Sequence, residues 1–290
     1  MVENVILPAV LALVMTGAGL DIDARRLPNG HVAVRAMIAG FVATAILLPL
    51  AGLAIATCFR GEPAIAFGLA LLAVSPAGLL AGPLARAAGG AASTAVALTL
   101  SSSLLYLAVA PRLIPGLASW LDLSSGQIDL PGRDILASVS AVCVLPLMVG
   151  AAVRAIAPAA ACAAERVIAS LARPSLGGVL AYILYANAES LWRCSIDLLG
   201  ATLLLNLVGV AVATAAGALS ESRRADRLAI EGACLMRQEG TGIFVAAVVF
   251  DESAAALPLI VNSLMAMMVA YGLRTYRHLG RSSFGARAAV

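Results

Sequence analysis

Long apolar runs separated by short polar links are the dominant pattern of the chain. They fall near residues 4–20, 32–58, 63–86, 91–111, 134–156, 164–186, 196–218, 225–250 and 253–273. Each is long enough, at about 1.5 Å per helical residue, to cross most or all of a hydrocarbon layer roughly 30 Å thick. The pattern predicts an all-α integral membrane protein with about nine transmembrane helices in one domain, residues 1–290. Composition agrees: 61% of the residues are hydrophobic and 12% charged, against about 25% charged in soluble domains. So few charges cannot cover a globular surface. The first run, "MVENVILPAVLALVMTGAGL", carries Glu3 and no base before its apolar core. It therefore reads as a retained span rather than a cleaved leader.

Arginine placement orients the spans. With the N-terminus outside, the inner links and flanks collect fourteen arginines, and the outer ones hold Arg60, Arg112, Arg133 and Arg193. The positive-inside rule then puts the C-terminus in the cytoplasm. Every basic residue is arginine, a bias that suggests a bacterial source and hence an inner (plasma) membrane location. The basic tail, 274–290, is suited to contact with anionic lipid headgroups. The outer link 112–133 carries Trp120 and reads as a connector or a segment lying along the membrane surface.

Two spans are interrupted. The third contains "LLAVSPAGLLAGPLARAAGG", with Pro76, Gly78, Gly82 and Pro83 within eight residues. Proline removes a helical hydrogen bond and clashes with the preceding turn. The eighth contains "LMRQEGTG", in which Gly240 and Gly242 adjoin Arg237, Gln238 and Glu239. The two spans run in opposite directions and occupy corresponding places in two halves, about 1–111 and 134–275. That arrangement is the sequence sign of an inverted-repeat transporter with two broken, crossing helices. Unwound backbone must face protein or a wet cavity, because lipid offers its polar groups no partner.

The charged trio makes the eighth span the centre of interest. A charge at the bilayer centre costs about 2.5–3.5 kcal/mol on insertion scales. On an intact helix neither Arg237 nor Glu239 has an oppositely charged residue three or four positions away, where side chains meet. Either Arg237 and Glu239 neutralise each other across an unwound backbone, or each finds a partner on another helix or in a ligand; in the ligand reading Arg237 faces a cavity and attracts an anionic substrate. Ser75, Thr99 and Asn262 are further candidates for substrate contact, and Glu231, Glu239 and Thr99 for ion coupling. Asn206 and Asn262 either join the cavity or bond between helices. Ser101, Ser102 and Ser103 form a polar patch suited to helix packing or cavity lining.

At these residues the chain resembles the bile acid:sodium symporter family. The likeness is carried by "VMTGAGLDIDARRL", "AVSPAGLLAGPLARAAGGAASTAVALTLSSSLLYLAVAP", "VCVLPLMVGAAVR" and "RADRLAIEGACLMRQEGTGIFVAAVVF", in that order. The resemblance implies a panel domain, a core domain with two crossing broken helices, alternating access and small organic anions as substrates. It implies the nine-span form, which lacks the first helix of ten-span members. It also locates a departure. Where sodium-coupled members carry a Ser-Asn pair in the first crossover, this chain has Ala81 and Gly82, and a serine of the next helix is replaced by Ala95. Thr99 keeps its hydroxyl. In the second crossover a Gln-Asn-Ser-Gly run reads Arg237, Gln238, Glu239 and Gly240, and the family's glutamate falls near Ala233, two residues from Glu231. Three side-chain oxygens are thereby lost from a sodium site, and Arg237 takes a position where a mobile cation would sit.

The expectation is a secondary transporter of small organic anions with a degenerate sodium site, coupled to protons through Glu239 or Glu231 or to no ion. The alternatives are a sodium-dependent symporter of the bile-acid type and a non-transporting receptor or scaffold of the same fold. No enzyme is expected: H-E-x-x-H is absent, and His31 and His278 lie in a link and the tail. No cofactor or metal is expected either. The five cysteines form no C-x-x-C and read as small hydrophobes. Nothing suggests nucleic-acid binding or sets an oligomeric state.

Overall fold

The protein is described by a computed structural model covering residues 5–21, 31–78, 80–121 and 137–287. The links 22–30 and 122–136, with Arg25, Arg26 and Arg133, lie outside the described residues. Among the described residues the chain is helical throughout, without a strand beyond a single bridge between two residues.

Eleven helical segments follow in order. They are α1 (Leu7–Asp21), α2 (His31–Phe59), α3 (Pro63–Val74), α4 (Ala81–Ala87) and α5 (Ala92–Trp120). Then come α6 (Ala137–Ile156), α7 (Pro158–Ala186), α8 (Ala188–Leu219), α9 (Arg224–Leu235), α10 (Glu239–Val249) and α11 (Leu257–Arg287). Among the described residues six helices are long and apolar enough to cross a membrane, and α1, α3 and α10 are shorter apolar helices. This is the fold of a multi-pass helical membrane protein. α5 runs through Pro111 and Pro115 to Trp120, so the connector expected from residue 112 begins as helix. Trp120 is partly exposed and stacks beneath Arg60, whose guanidinium carbon lies 5.2 Å from the ring centre. The basic tail is likewise helical to Arg287.

The helices pack as two bundles. α1 lies against α6 and α7, and α6 against α7. The α1–α6 contact is a crossing of small residues: a side chain on Gly19 would strike the Leu147 carbonyl, and one on Gly150 the Thr16 carbonyl. Backbones approach this closely only where glycine removes the Cβ. The other helices build the larger bundle, with α2, α4, α5, α8 and α11 in contact with α9. The smaller bundle touches the larger where α1 meets α10 and α7 meets α8 and α11.

Two π-turns sit just ahead of prolines, and the proline explains each. Ala43–Leu47 of α2 precedes Pro49, and Ser140–Val144 of α6 precedes Pro146. In the first, the Leu48 N–H reaches back five residues to the Ala43 carbonyl. The Thr44 carbonyl then has no helical donor, because Leu48 is committed and Pro49 has no N–H.

Candidate functional site

Both interrupted spans open, and the openings meet. α3 ends at Val74 and α4 starts at Ala81; α9 ends at Leu235 and α10 starts at Glu239. Between them Ala77 and Arg237 form an antiparallel bridge. The Gly78 N–H donates to the Met236 carbonyl at 2.6 Å, and the Gln238 N–H to the Pro76 carbonyl at 2.9 Å. Each break thus satisfies backbone groups of the other, as a low-dielectric interior requires. Helix α5 supplies two more partners. The Ala77 N–H donates to Ser102 Oγ at 3.1 Å, and Thr99 Oγ1 donates to the Gly78 carbonyl at 3.2 Å.

The breaks lie upstream of several residues expected to cause them. Pro76 and Gly78 are in the first opening, but Gly82 and Pro83 fall inside α4, and Gly240 and Gly242 inside α10. Pro83 is the third residue of its helix, where the missing N–H has no intrahelical acceptor to lose. Gly242 serves packing instead, since a Cβ there would run into the Leu259 side chain. Gly78 is different: its Cβ would sit 2.5 Å from the Arg237 carbonyl oxygen, so close approach of two backbones requires glycine there.

Arg237 is 4% exposed. Nη2 donates to the Ala73 carbonyl at 2.6 Å, and Nη1 to the Thr44 carbonyl at 3.2 Å. Both acceptors are carbonyls that the helices cannot use. Thr44 was freed by Pro49. Ala73 is freed because α3 stops and the Ala77 N–H turns to Ser102. The guanidinium also sits at the C-terminal end of α3, where the helix dipole favours a cation. Of the expected arrangements, Arg237 shows partners on other helices: it makes no ion pair with Glu239 within 4 Å, and it does not line the cavity described below. The physical reason is local. Two orphaned carbonyls next to the break take Nη1 and Nη2, while the buried Nε has no hydrogen-bond partner.

Glu239 instead accepts a hydrogen bond from Asn262 Nδ2 at 3.0 Å, and Asn262 Oδ1 accepts one from Asn206 Nδ2 at 2.8 Å. Asn206 also donates to the Thr202 carbonyl at 2.8 Å. This chain ties α10, α11 and α8 together. Gln238 is buried, with Nε2 on Met15 Sδ at 3.1 Å and Oε1 without a hydrogen-bond partner. Ser75 is buried and donates back to the Leu71 carbonyl at 2.7 Å. The structure therefore brings together Arg237, Gln238, Glu239, Thr99, Ser75 and Asn262 around the two breaks, and leaves Glu231 apart on α9.

A cavity of about 530 Å³ opens between α4, α9 and α11. Leu84, Leu228, Leu235, Met236, Met267 and Tyr271 give it apolar walls, and Arg224, Arg274 and Glu231 bring charge. Of the residues singled out in the sequence, only Glu231 and Pro83 line it. Sequence reasoning missed the carbonyls of Thr44 and Ala73. The proline two residues beyond a π-turn was the available signal for Thr44. Arg224 and Arg274 were counted only for orientation.

The fold is that of a multi-pass helical membrane protein with two helix breaks that meet and a cavity beside them. A comparison with known families matches residues 8–217 to the Sodium Bile acid symporter family, and the chain belongs to that family. The match runs from α1 through nearly all of α8, so Arg237, Gln238 and Glu239 lie beyond it. No curated protein matches the chain.

Proposed function

We propose that the chain is a secondary transporter of small organic anions that works by alternating access without sodium, with Arg237 as a tethered cation in the crossover. One observation carries the reading: the buried guanidinium is held by two backbone carbonyls freed by helix breaks. Carbonyl oxygens at such breaks are the ligands a mobile alkali cation would use in a transporter of this kind. A fixed guanidinium supplies the same positive charge in every turn of the cycle and is never released. Burying it is expensive, and charge-assisted hydrogen bonds of about 1.5–3 kcal/mol each offset part of that.

The cavity between α4, α9 and α11 suits the substrate. Its apolar walls accept an organic body, and Arg224 and Arg274 offer charge to a carboxylate or sulfonate. Met236 lines the cavity and its carbonyl is part of the crossover, so the positive charge of Arg237 stands one residue behind the wall.

In this reading α1 and the broken pairs α3–α4 and α9–α10 complete nine crossings with the six long helices. The halves 1–111 and 134–275 form the inverted repeat, and the N-terminus faces out. Two contacts support the alternation. Arg35, in the first turns of α2, pairs with Glu221 at 3.2 Å on the side assigned to the inner face, and Arg60 meets Trp120, at the end of α5, on the side assigned to the outer one. The experiment is uptake and counterflow of a panel of carboxylates and sulfonates in vesicles containing the purified full chain, with and without sodium. Transport of at least one panel anion without sodium is expected. Transport that is absent without sodium contradicts the reading.

A further inference from the structure

We propose that Glu239 is the proton-coupling site of this transporter, with Asn262 and Asn206 as positioning residues, so that one proton enters with each anion. The proposal rests on the transporter reading above and adds the coupling ion.

The crossover holds one carboxylate and one guanidinium two residues apart, and each has been given other partners. Arg237 places Nη1 and Nη2 on carbonyls, so its charge is held whatever Glu239 does. Among the described residues Glu239 makes no ion pair within 4 Å; its side chain accepts hydrogen bonds from Asn262 and from its own backbone N–H. Glu239 is also partly exposed, whereas Arg237, Gln238 and Asn262 are buried. A carboxyl that is not locked in an ion pair is able to change its protonation state without breaking one.

The amide that meets it is pinned. Asn206 Nδ2 donates to Asn262 Oδ1, which obliges Asn262 to turn its N–H toward Glu239. Asn262 is 1% exposed and Asn206 3%, so the pair has little room to rearrange. The carboxyl is thus positioned by an amide whose orientation is set from α8.

The charge of the crossover then changes by one proton. With Glu239 ionised, Arg237 and Glu239 sum to zero; with Glu239 protonated, the site carries one positive charge. An anion bound nearby favours the second state, and by linkage the proton favours the anion equally. The two enter together and leave together. The chemistry is a carboxylate taking up and releasing one proton, with no other bond made or broken.

Few other ionisable groups lie on the elements packed round α10. They include Arg237 in the break, Cys143 on α6, whose sulfur is 3.6 Å from Thr241 Oγ1, the buried Tyr106 of α5 beside Cys143, Asp21 at the end of α1, and Asp251 and Glu252 beyond α10's own outer end. Tyr271 and Arg274 lie more than two turns along α11 from Asn262, and α3 brings none. Glu231 lies eight residues earlier, in the cavity wall.

The test uses sodium-free vesicles containing the full chain and the sulfonates of the panel, which cannot cross the bilayer as neutral acids. Counterflow is measured first. Its absence for every panel anion overturns the transporter reading and this proposal with it. Where counterflow is seen, acid outside is expected to drive accumulation toward about tenfold per pH unit, the ceiling for one proton per monoanion. E239Q is expected to exchange anion, at a changed rate, and to lose the response to the gradient. N262A and N206A are expected to displace the pH profile of uptake, whereas a merely structural role would lower uptake equally at every pH. Counterflow in the wild type with no response to the gradient overturns the proposal and leaves the transporter reading standing, as does gradient-driven accumulation by E239Q. Should E239Q fail to exchange, an unchanged pH profile in N262A overturns it.

Discussion

Single atoms decide how the crossover holds. The Ala77 N–H has Ser102 Oγ as its partner, and removing that oxygen leaves a buried donor unpaired. Ser102→Ala is expected to cost about 1–3 kcal/mol, read as a drop in thermal unfolding temperature in detergent. Thr99→Val removes a weaker link, to the Gly78 carbonyl at 3.2 Å, and is expected to cost about 1 kcal/mol. The two glycines flanking Arg237's bridge differ more. Gly78→Ala pushes a methyl against the Arg237 backbone, which cannot move without opening the bridge, and is expected to cost about 2 kcal/mol or more. Gly240→Ala meets only the flexible end of Leu11, at 3.0 Å, and is expected to be milder by at least half in the same melt. Equal costs at the two positions would show that Gly78 is not where the backbones are closest.

At the scale of the element, the two breaks were legible and their edges were not. Proline and glycine density marked the third and eighth spans, and both do open. The hydrogen-bond exchange between them set the openings at residues 75–80 and 236–238, and that exchange depends on register across 160 residues of chain. For the same reason Gly82, Pro83, Gly240 and Gly242 looked like breakers and are helix residues. The trio's environment was half legible. Burial of Arg237 followed from its apolar flanks, but its acceptors are main-chain oxygens, and main-chain oxygens have no letter in a sequence. The Asn206–Asn262 pair was visible as two buried polar residues, without the carboxyl that joins them. The Thr44 carbonyl yields a prediction about an element rather than a side chain. Pro49→Ala restores an N–H within α2 that competes with Arg237 for that oxygen. Uptake is expected to fall several-fold, though residue 49 touches neither cavity nor crossover charge. Unchanged uptake would mean that the π-turn does not set the hold on Arg237.

For the whole molecule, a smaller bundle of α1, α6 and α7 leans on a larger one that contains both breaks. Part of the contact between them is made at the crossover, where Leu11 and Met15 of α1 meet Gly240 and Gln238, and Cys143 of α6 meets Thr241. A rocking motion of one bundle on the other would therefore act directly on Gln238 and its unpartnered Oε1. The orientation of the molecule is open to a chemical test. Cys58 and Cys162 are exposed and lie at the end of α2 and the start of α7, which are assigned to opposite faces. In single-cysteine variants, a membrane-impermeant thiol reagent applied to intact cells is expected to label Cys58 and spare Cys162; the reverse pattern would invert the topology. The fixed charge at the crossover is tested most directly by sodium dependence of anion uptake in vesicles, compared between the wild type and Arg237→Gln, which restores the residue that the resemblance implies for sodium-coupled members. Sodium-independent uptake by the wild type, together with loss of sodium-free uptake in the variant, is the expected result. Sodium-free uptake that survives replacement of Arg237, or a wild type that needs sodium, would contradict a tethered cation.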